Sequence, residues 1–294
     1  MKETFYITTP IYYPNDLPHL GHAYTTIATD ILARWHKLQG KEVFFLTGTD
    51  EHGKKLADTA SKAKQSPKEF IDKLIPEFKK DWATLNINYD RFIRTTDKDH
   101  EKIVQKILQR VYENGDIYLG EYEGLYCTAC EAYYTEKDAT NLQCPIHEKA
   151  LEKIKESSYF FKLSKYQKFL LDHYKKNKDF LLPEKRAHEV INRVQEGLND
   201  ISISRTSFNW GIPLPFDKKH IAYVWFDALL NYYSATQQKK ELNKFWPANL
   251  HLIGKDILWF HAVYWPAMLK SAGLELPKKI FAHGWWTVQG KKMG

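Results

Sequence analysis

Phe5-Tyr6-Ile7-Thr8-Thr9-Pro10, His19-Leu20-Gly21-His22 and Val43-Phe44-Phe45-Leu46 all fall within the first fifty residues, and their order decides the fold. The first run is strand-like in composition and stops at a proline, and the loop to Pro18 is proline-rich. Over 22–39, apolar residues recur at Ala23, Ile27, Ile31, Trp35 and Leu38, close to helical period. Gly40 stands where a helix-terminating glycine belongs. Val43 to Leu46 is the short apolar run of a buried parallel strand. Strand, helix and strand in so short a span make a βαβ unit, hence an α/β sheet with right-handed crossovers.

The pattern extends outward from there. Segments 67–85 and 99–113 read as helices, the second closed by Asn114-Gly115. Residues 118–220 change character, with a cysteine-bearing stretch, a short strand at Ser158-Tyr159-Phe160-Phe161, and helices over 165–176 and 184–195. From 221 the α/β texture returns. Ile221-Ala222-Tyr223-Val224-Trp225, Leu250-His251-Leu252-Ile253 and Ile280-Phe281-Ala282 are strand-like, and 257–269 reads as a helix despite Pro266. The expected architecture is one doubly wound parallel sheet over 1–117 and 221–294, split by an insertion over 118–220.

Composition narrows the class. The chain has 294 residues, 43 Lys and Arg against 36 Asp and Glu, and a net charge of +7. Its 43% hydrophobic and 27% charged residues suit a packed protein and argue against disorder. Three cysteines, an odd number, speak against a disulfide scaffold. No run approaches the ~20 apolar residues of a membrane span, and the N-terminus lacks a secretory pattern. A soluble, cytoplasmic protein is expected. The positive charge permits a polyanionic partner without requiring one.

Four clusters carry chemistry. His19-Leu20-Gly21-His22 sits where the first loop meets a helix, whose N-terminus offers unpaired N–H groups and a positive dipole end to phosphate. Two imidazoles there can donate to a triphosphate in its transition state, with Gly21 clearing space for the nucleotide; two surface histidines beside a helix start fit the same four residues. Cys127, Cys130, Cys144 and His147 are spaced C-x2-C, thirteen residues, C-x2-H, a ligand set for tetrahedral zinc with no open position, hence structural. Leu252-Ile253-Gly254-Lys255-Asp256 can bring backbone and a carboxylate to a ribose, although Gly-Lys-Asp is also a common turn. Thr49-Asp50-Glu51-His52-Gly53 can hold an ammonium group or form a solvated loop. Aromatic residues including Tyr12, Tyr13, Trp225, Tyr232, Trp259, Trp265, Trp285 and Trp286 accompany these clusters, as core or as pocket.

Taken together, these residues resemble the class I aminoacyl-tRNA synthetases, and among them the methionyl-tRNA synthetase family. His19-Leu20-Gly21-His22 matches the HIGH-type motif. Thr9-Pro10-Ile11-Tyr12-Tyr13-Pro14-Asn15, Thr47-Gly48-Thr49-Asp50-Glu51-His52-Gly53, Ile203-Ser204-Arg205 with Trp210-Gly211-Ile212-Pro213, and Tyr223-Val224-Trp225-Phe226-Asp227-Ala228 are similar to that family's own wording. The resemblance implies a Rossmann-type catalytic domain split by a connective-peptide insertion, with a zinc knuckle at about 120–150. It implies that methionine's carboxylate attacks Mg2+-ATP to give methionyl-adenylate and pyrophosphate, after which the 3' end of tRNA(Met) takes the methionyl group. His19 and His22 would act on the phosphates. Gly21, Gly254, Asp256, His283, Gly284, Trp285, Val288 and Lys292 would complete the ATP site. Asp50 would hold the ammonium group, with Pro10, Ile11, Tyr13, Trp225, Ala228, Leu229, Tyr232, Ile257 and His261 around the methionine side chain. Synthetases for Ile, Val and Leu resemble this fold but carry a larger editing insertion than 118–220 has room for, because one methylene gives only ~1–3 kcal/mol of discrimination. The family also places a KMSKS-type loop after Gly284, whereas here Lys292-Met293-Gly294 closes the sequence. A catalytic core of reduced activity, without the helical anticodon-binding domain, is therefore expected.

Overall fold

The computed structural model describes residues 2–129, 131–134, 142–146, 149–288 and 291–292, with backbone alone for 132–134, 287–288 and 291–292. In chain order its first elements are β1 (Thr4–Thr8), α1 (Leu20–Leu38), β2 (Glu42–Thr49), α2 (Lys54–Lys62), α3 (Pro67–Thr84), β3 (Arg91–Arg94) and α4 (Lys98–Glu113). The middle holds β4 (Ile117–Cys127), β5 (Ala132–Tyr134), β6 (Glu152–Phe161), α5 (Gln167–Lys176), β7 (Leu181–Leu182), α6 (Glu184–Gln195), β8 (Ile201–Ser202) and β9 (Ser204–Arg205). Then come β10 (Ile221–Ala222), α7 (Val224–Ala228), α8 (Asn231–Gln237), β11 (Leu250–Gly254), α9 (Trp265–Ser271), β12 (Ile280–His283), β13 (Thr287–Val288) and β14 (Lys291–Lys292).

A six-stranded sheet in the order β3-β2-β1-β11-β12-β7 is parallel throughout. Its order reverses between β1 and β11, where Ile7 faces Leu250 and Thr8 faces His251. Crevices at the carboxyl ends of such strands take ligands, because the loops on either side of the reversal turn away from each other. The antiparallel sheet β5-β4-β6-β8 is built within the 118–220 region and its flank. That region is not foreign to the main sheet throughout, as the expected boundaries had it. β7 lies inside it and pairs with β12, Phe281 facing Leu182. A two-residue strand closed by Pro183 is too short to show a period, so it was not legible in the sequence.

Other local readings also shift. Ile221 to Trp225 is not one strand: β10 spans two residues and α7 begins at Val224. The expected helix over 257–269 resolves into a 3₁₀ turn at Lys255–Ile257, a π turn at Phe260–Tyr264, and α9. Pro266 supplies no N–H, so it belongs in the first turn of a helix, and the wide turn before it lets α9 begin there.

Helix α1 forms where the apolar period placed it, but that apolar stripe is not the face it buries. Thr25, Thr26, Thr29, Asp30 and Ala33 face the protein instead. The threonine hydroxyls donate to carbonyls one turn back, Thr26 to His22 O at 2.8 Å and Thr29 to Thr25 O at 2.8 Å, so these side chains enter the interior with their polar atoms satisfied. Asp30 accepts from Arg34 Nε at 2.6 Å and from the Asn88 backbone at 2.9 Å, tying α1 to the loop before β3. Asp30→Ala leaves the Asn88 amide without its acceptor and is expected to cost about 1–3 kcal/mol in urea denaturation.

Candidate active site at the sheet reversal

A cavity of about 760 Å³ opens at the carboxyl ends of β1, β2, β11 and β12. From the β1 side it is lined by Pro10, Ile11, Tyr13, His19, Gly21 and His22, and from the end of β2 by Asp50. Trp225, Ala228, Leu229 and Tyr232 enter from α7 and α8. Gly254, Asp256, Ile257 and His261 follow β11, and His283, Gly284 and Trp285 follow β12. The ligand-site residues expected from sequence thus line one cavity from several sides, apart from two for which the backbone alone is described. Backbone alone is given for Val288 and Lys292, which sit in the β13–β14 pair.

The two histidines are locked into one geometry. His19 is the N-cap of α1, where its Nδ1 accepts from Gly21 N at 3.1 Å, while His22 Nδ1 accepts from His19 N at 3.4 Å. Their rings stack with centroids 3.7 Å apart. Since each Nδ1 accepts, each neutral ring carries its proton on Nε2. The pair therefore presents N–H donors at the positive end of a helix dipole. Gly21 has a more local reason than room for a nucleotide. A Cβ there would sit 2.9 Å from His19 Cε1 and displace the capping ring.

Acidic side chains crowd the floor, and their partners sort them. Glu51 accepts from Arg94 Nε and Thr49 Oγ1, each at 2.7 Å. Asp227 lies 2.6 Å from His52 Nδ1 and 2.7 Å from His100 Nε2, which hold its carboxyl below the usual range against the cost of burial. Glu131 accepts from the Lys55 backbone at 2.8 Å and from Tyr126, and burial pushes it up to about 7. Asp50 is different. Its carboxyl is buried with Oδ1 unpartnered, and burial, then the charges of Asp227 and Glu131, raise it well above the carboxylate range.

On the apolar side, Trp225 stacks on Phe260 at 3.8 Å and 3°. Burial pushes His261 down to about 4, so its ring is neutral. His261 Nδ1 lies 3.0 Å from Ile257 O, a bond that needs the proton on Nδ1 and leaves Nε2 to accept from Tyr232 OH at 2.7 Å. The Tyr232 proton is thereby committed inward.

Several lining residues lay beyond sequence reasoning. Thr25 holds His283 Nε2 at 2.7 Å, Glu131 and Lys55 back Tyr13, and Arg193 covers Trp259 at 4.3 Å from α6. None stands in a motif of its own: Thr25 lies one turn past His22 on α1, Lys55 opens α2 just after Gly53, and Glu131 and Arg193 arrive from the 118–220 region. Of the metal set, Cys130 and His147 lie outside the described residues. Cys127 and Cys144 are buried sulfurs at the end of β4 and just before the turn that follows, a setting that suits a closed site. Among the described residues no group of three or more His, Cys, Asp or Glu forms a metal cluster.

Because His261 is neutral when folded and ordinary, near 6.5, when unfolded, the unfolded chain binds the extra proton between those values. Its contribution to stability is complete above pH 6.5 and is lost as pH falls toward about 4, about 3 kcal/mol in all. Urea denaturation across this window is expected to show the slope, and His261→Gln to flatten it.

Three comparisons bear on this geometry. The family described as tRNA synthetases class I (M) matches residues 5–153 and 136–294. The methionine–tRNA ligase of Caldanaerobacter subterraneus subsp. tengcongensis is 52% identical over 297 residues, covering all of this chain and 47% of that protein. The methionine–tRNA ligase of Campylobacter jejuni is 54% identical over 98% of the chain and 47% of its own length. The solved Mycobacterium tuberculosis methionyl-tRNA synthetase in complex with methionyl-adenylate superposes with TM-score 0.96 at 45% identity, over 99% of this chain and 59% of that one. The chain thus spans about half the length of the curated relatives it matches. With a family match that runs from β1 through residue 294 and relatives above 50% identity, the chain belongs to the methionine branch of the class I tRNA synthetases.

Proposed function

We propose that the polypeptide containing this chain is a methionine–tRNA ligase of the cytoplasm, and that the cleft activates methionine with ATP. Asp50 carries the reading. It is a buried carboxylate with an unpartnered oxygen facing a cavity, and its carboxylate neighbours Glu51 and Asp227 already have basic partners. An amino acid's ammonium group supplies the missing cation. The relatives named methionine–tRNA ligase and the methionyl-adenylate bound in the M. tuberculosis structure support methionine as that amino acid.

In this reading the methionine side chain lies among Pro10, Ile11, Tyr13, Trp225, Ala228, Leu229, Tyr232, Ile257 and His261. A thioether is polarisable and only a weak acceptor, so a wall whose Tyr232 proton is already used costs it little. A side chain that needs a strong donor would be left unpaired there. Gly254, Asp256, His283, Gly284, Trp285 and Val288 surround the nucleoside. His19 and His22, with Gly21 between them and Lys292 from the later loop, meet the phosphates. A methionine carboxylate oxygen attacks the α-phosphorus, the bond to the bridging oxygen breaks, and pyrophosphate leaves. The imidazole N–H groups and the helix dipole act where negative charge builds. A ribose hydroxyl of the terminal adenosine of tRNA(Met) then attacks the carbonyl, and AMP leaves. Mg2+ bound with ATP neutralises phosphate charge. Cys127, Cys130, Cys144 and His147 would hold one structural zinc, which would brace the insertion.

Calorimetric titration is expected to show methionine binding well above isoleucine, with Asp50→Asn weakening it by about 10²-fold or more through loss of a buried ion pair. Equal affinity for both amino acids would sink the reading. Because the ligand-free Asp50 carboxyl binds its proton too tightly, ammonium binding must expel it. Affinity is therefore expected to fall as pH drops below that raised value, and titrations in buffers of different ionisation enthalpy to reveal proton release. Elemental analysis of chelator-free protein is expected to give about one zinc per chain, as a four-ligand site holds a single ion, and under half an equivalent would remove the zinc from the proposal.

A further inference from the structure

Glu131 stands apart from the other acids of the cleft by its backbone. Among the described residues, Lys64, Asn86, Glu131 and Leu142 are the non-glycine residues with positive φ. Lys64, Asn86 and Leu142 are exposed, whereas Glu131, at φ +50°, is buried and lines the cavity. A residue with a side chain keeps that conformation in an interior only where its neighbours over-determine it. Here they do. Glu131 Oε1 accepts from Lys55 N at 2.8 Å and lies 3.3 Å from the Tyr13 hydroxyl, while Oε2 accepts from Tyr126. The Glu131 carbonyl accepts from the Tyr223 hydroxyl. Lys55 N is one of the first-turn amides of α2, whose N-cap, Gly53, has no side chain to meet them. A carboxylate from the insertion takes the place of the missing cap, at the positive end of the helix dipole. Gly53 keeps the room for it: a Cβ there would stand 2.6 Å from Tyr13 Oη and 2.8 Å from Glu131 Oε1.

Through these bonds one residue reaches two walls of the amino-acid pocket. Tyr13 lines it from the β1 side, its hydroxyl set between Glu131 and His52 O, to which it donates at 2.7 Å. Tyr223 is the N-cap of α7, the helix that brings Trp225 and Ala228 to the opposite side. We infer that Glu131 is a positioning residue for amino-acid activation, fixing Tyr13 and the start of α7 so that the pocket is built before the amino acid arrives. The inference rests on the methionine reading of the cleft. A preformed wall spares the ligand the cost of ordering it. Loss of Glu131 therefore falls on methionine binding and leaves the nucleotide side, with His19, His22 and Asp256, as it was.

The experiment is methionine-dependent ATP–pyrophosphate exchange by the intact polypeptide, with calorimetric titration of methionine and isoleucine beside it. Glu131→Ala is expected to raise the methionine KM about tenfold or more through the misplaced wall, with the ATP KM held within about twofold. Glu131→Gln, which keeps an oxygen for Lys55 N, is expected to recover most of the loss. In a Tyr13→Phe background the effect of Glu131→Ala is expected to shrink, because the hydroxyl through which it acts is already gone. Glu131→Asp, one methylene short of Lys55 and Tyr13, serves if the alanine variant does not fold, with the same rise expected. An unmoved methionine KM in the folded variants would overturn the inference. So would an equal rise for methionine and ATP, the mark of a general structural loss. Methionine bound no better than isoleucine by the unaltered polypeptide would instead overturn the methionine reading, and this inference with it.

Discussion

Ile7 lies opposite Leu250 and Thr8 opposite His251, and this parallel pairing joins segments more than two hundred residues apart. It is fastened by a chain of buried hydrogen bonds. Trp265 Nε1 donates to His251 Nε2 at 3.3 Å, so the proton of His251 sits on Nδ1, 2.8 Å from Thr8 Oγ1. Burial keeps that histidine neutral, with its pKa well below the usual range. The Tyr6 hydroxyl adds a bond to Tyr232 O at 2.8 Å, which carries the joint through to α8. Because the strand order reverses here, the loops after β1 and β11 part and the cavity opens between them. Loss of this register would scatter His19, Asp50 and Asp256 onto unrelated surfaces.

Within the cavity the governing constraint is charge. Asp50, Glu51, Glu131 and Asp227 are buried close enough for Glu51, Glu131 and Asp227 each to raise Asp50. Buried carboxylates are tolerated only when paired or hydrogen-bonded. Arg94 answers Glu51, His52 and His100 answer Asp227, and a backbone amide with two tyrosines answers Glu131. The protein thereby holds one buried carboxylate with an unpartnered oxygen, the state that the proposed cationic ligand would relieve. The same economy governs the other wall, where His261 and Tyr232 use up each other's polar capacity and leave an apolar, polarisable surface.

The sequence made the βαβ start legible because β1, α1 and β2 keep their periods over whole elements. The clustering of His19, His22, Asp50, Gly254 and Asp256 was also legible, since each stands at a predicted strand end and such ends converge in a parallel sheet. Short or irregular elements were not. β7 is two residues long, β10 likewise, and the π turn before Pro266 follows no period. Nor was the burial of α1 readable from hydropathy: its threonine face goes inward because each hydroxyl finds a carbonyl of its own helix, and the apolar face goes outward.

The sequence by itself determined the class of fold and the family, and suggested a chemistry for each cluster, because these rest on residue types at short, fixed spacings. Only the tertiary structure decided which acid keeps an unpartnered oxygen, which nitrogen of each imidazole carries the proton, and which face of α1 is left bare. Those are properties of neighbours brought together from distant parts of the chain. Asp50 differs from Glu51 by the reach of Arg94, and Gly21 is a glycine because the His19 ring folds back over it.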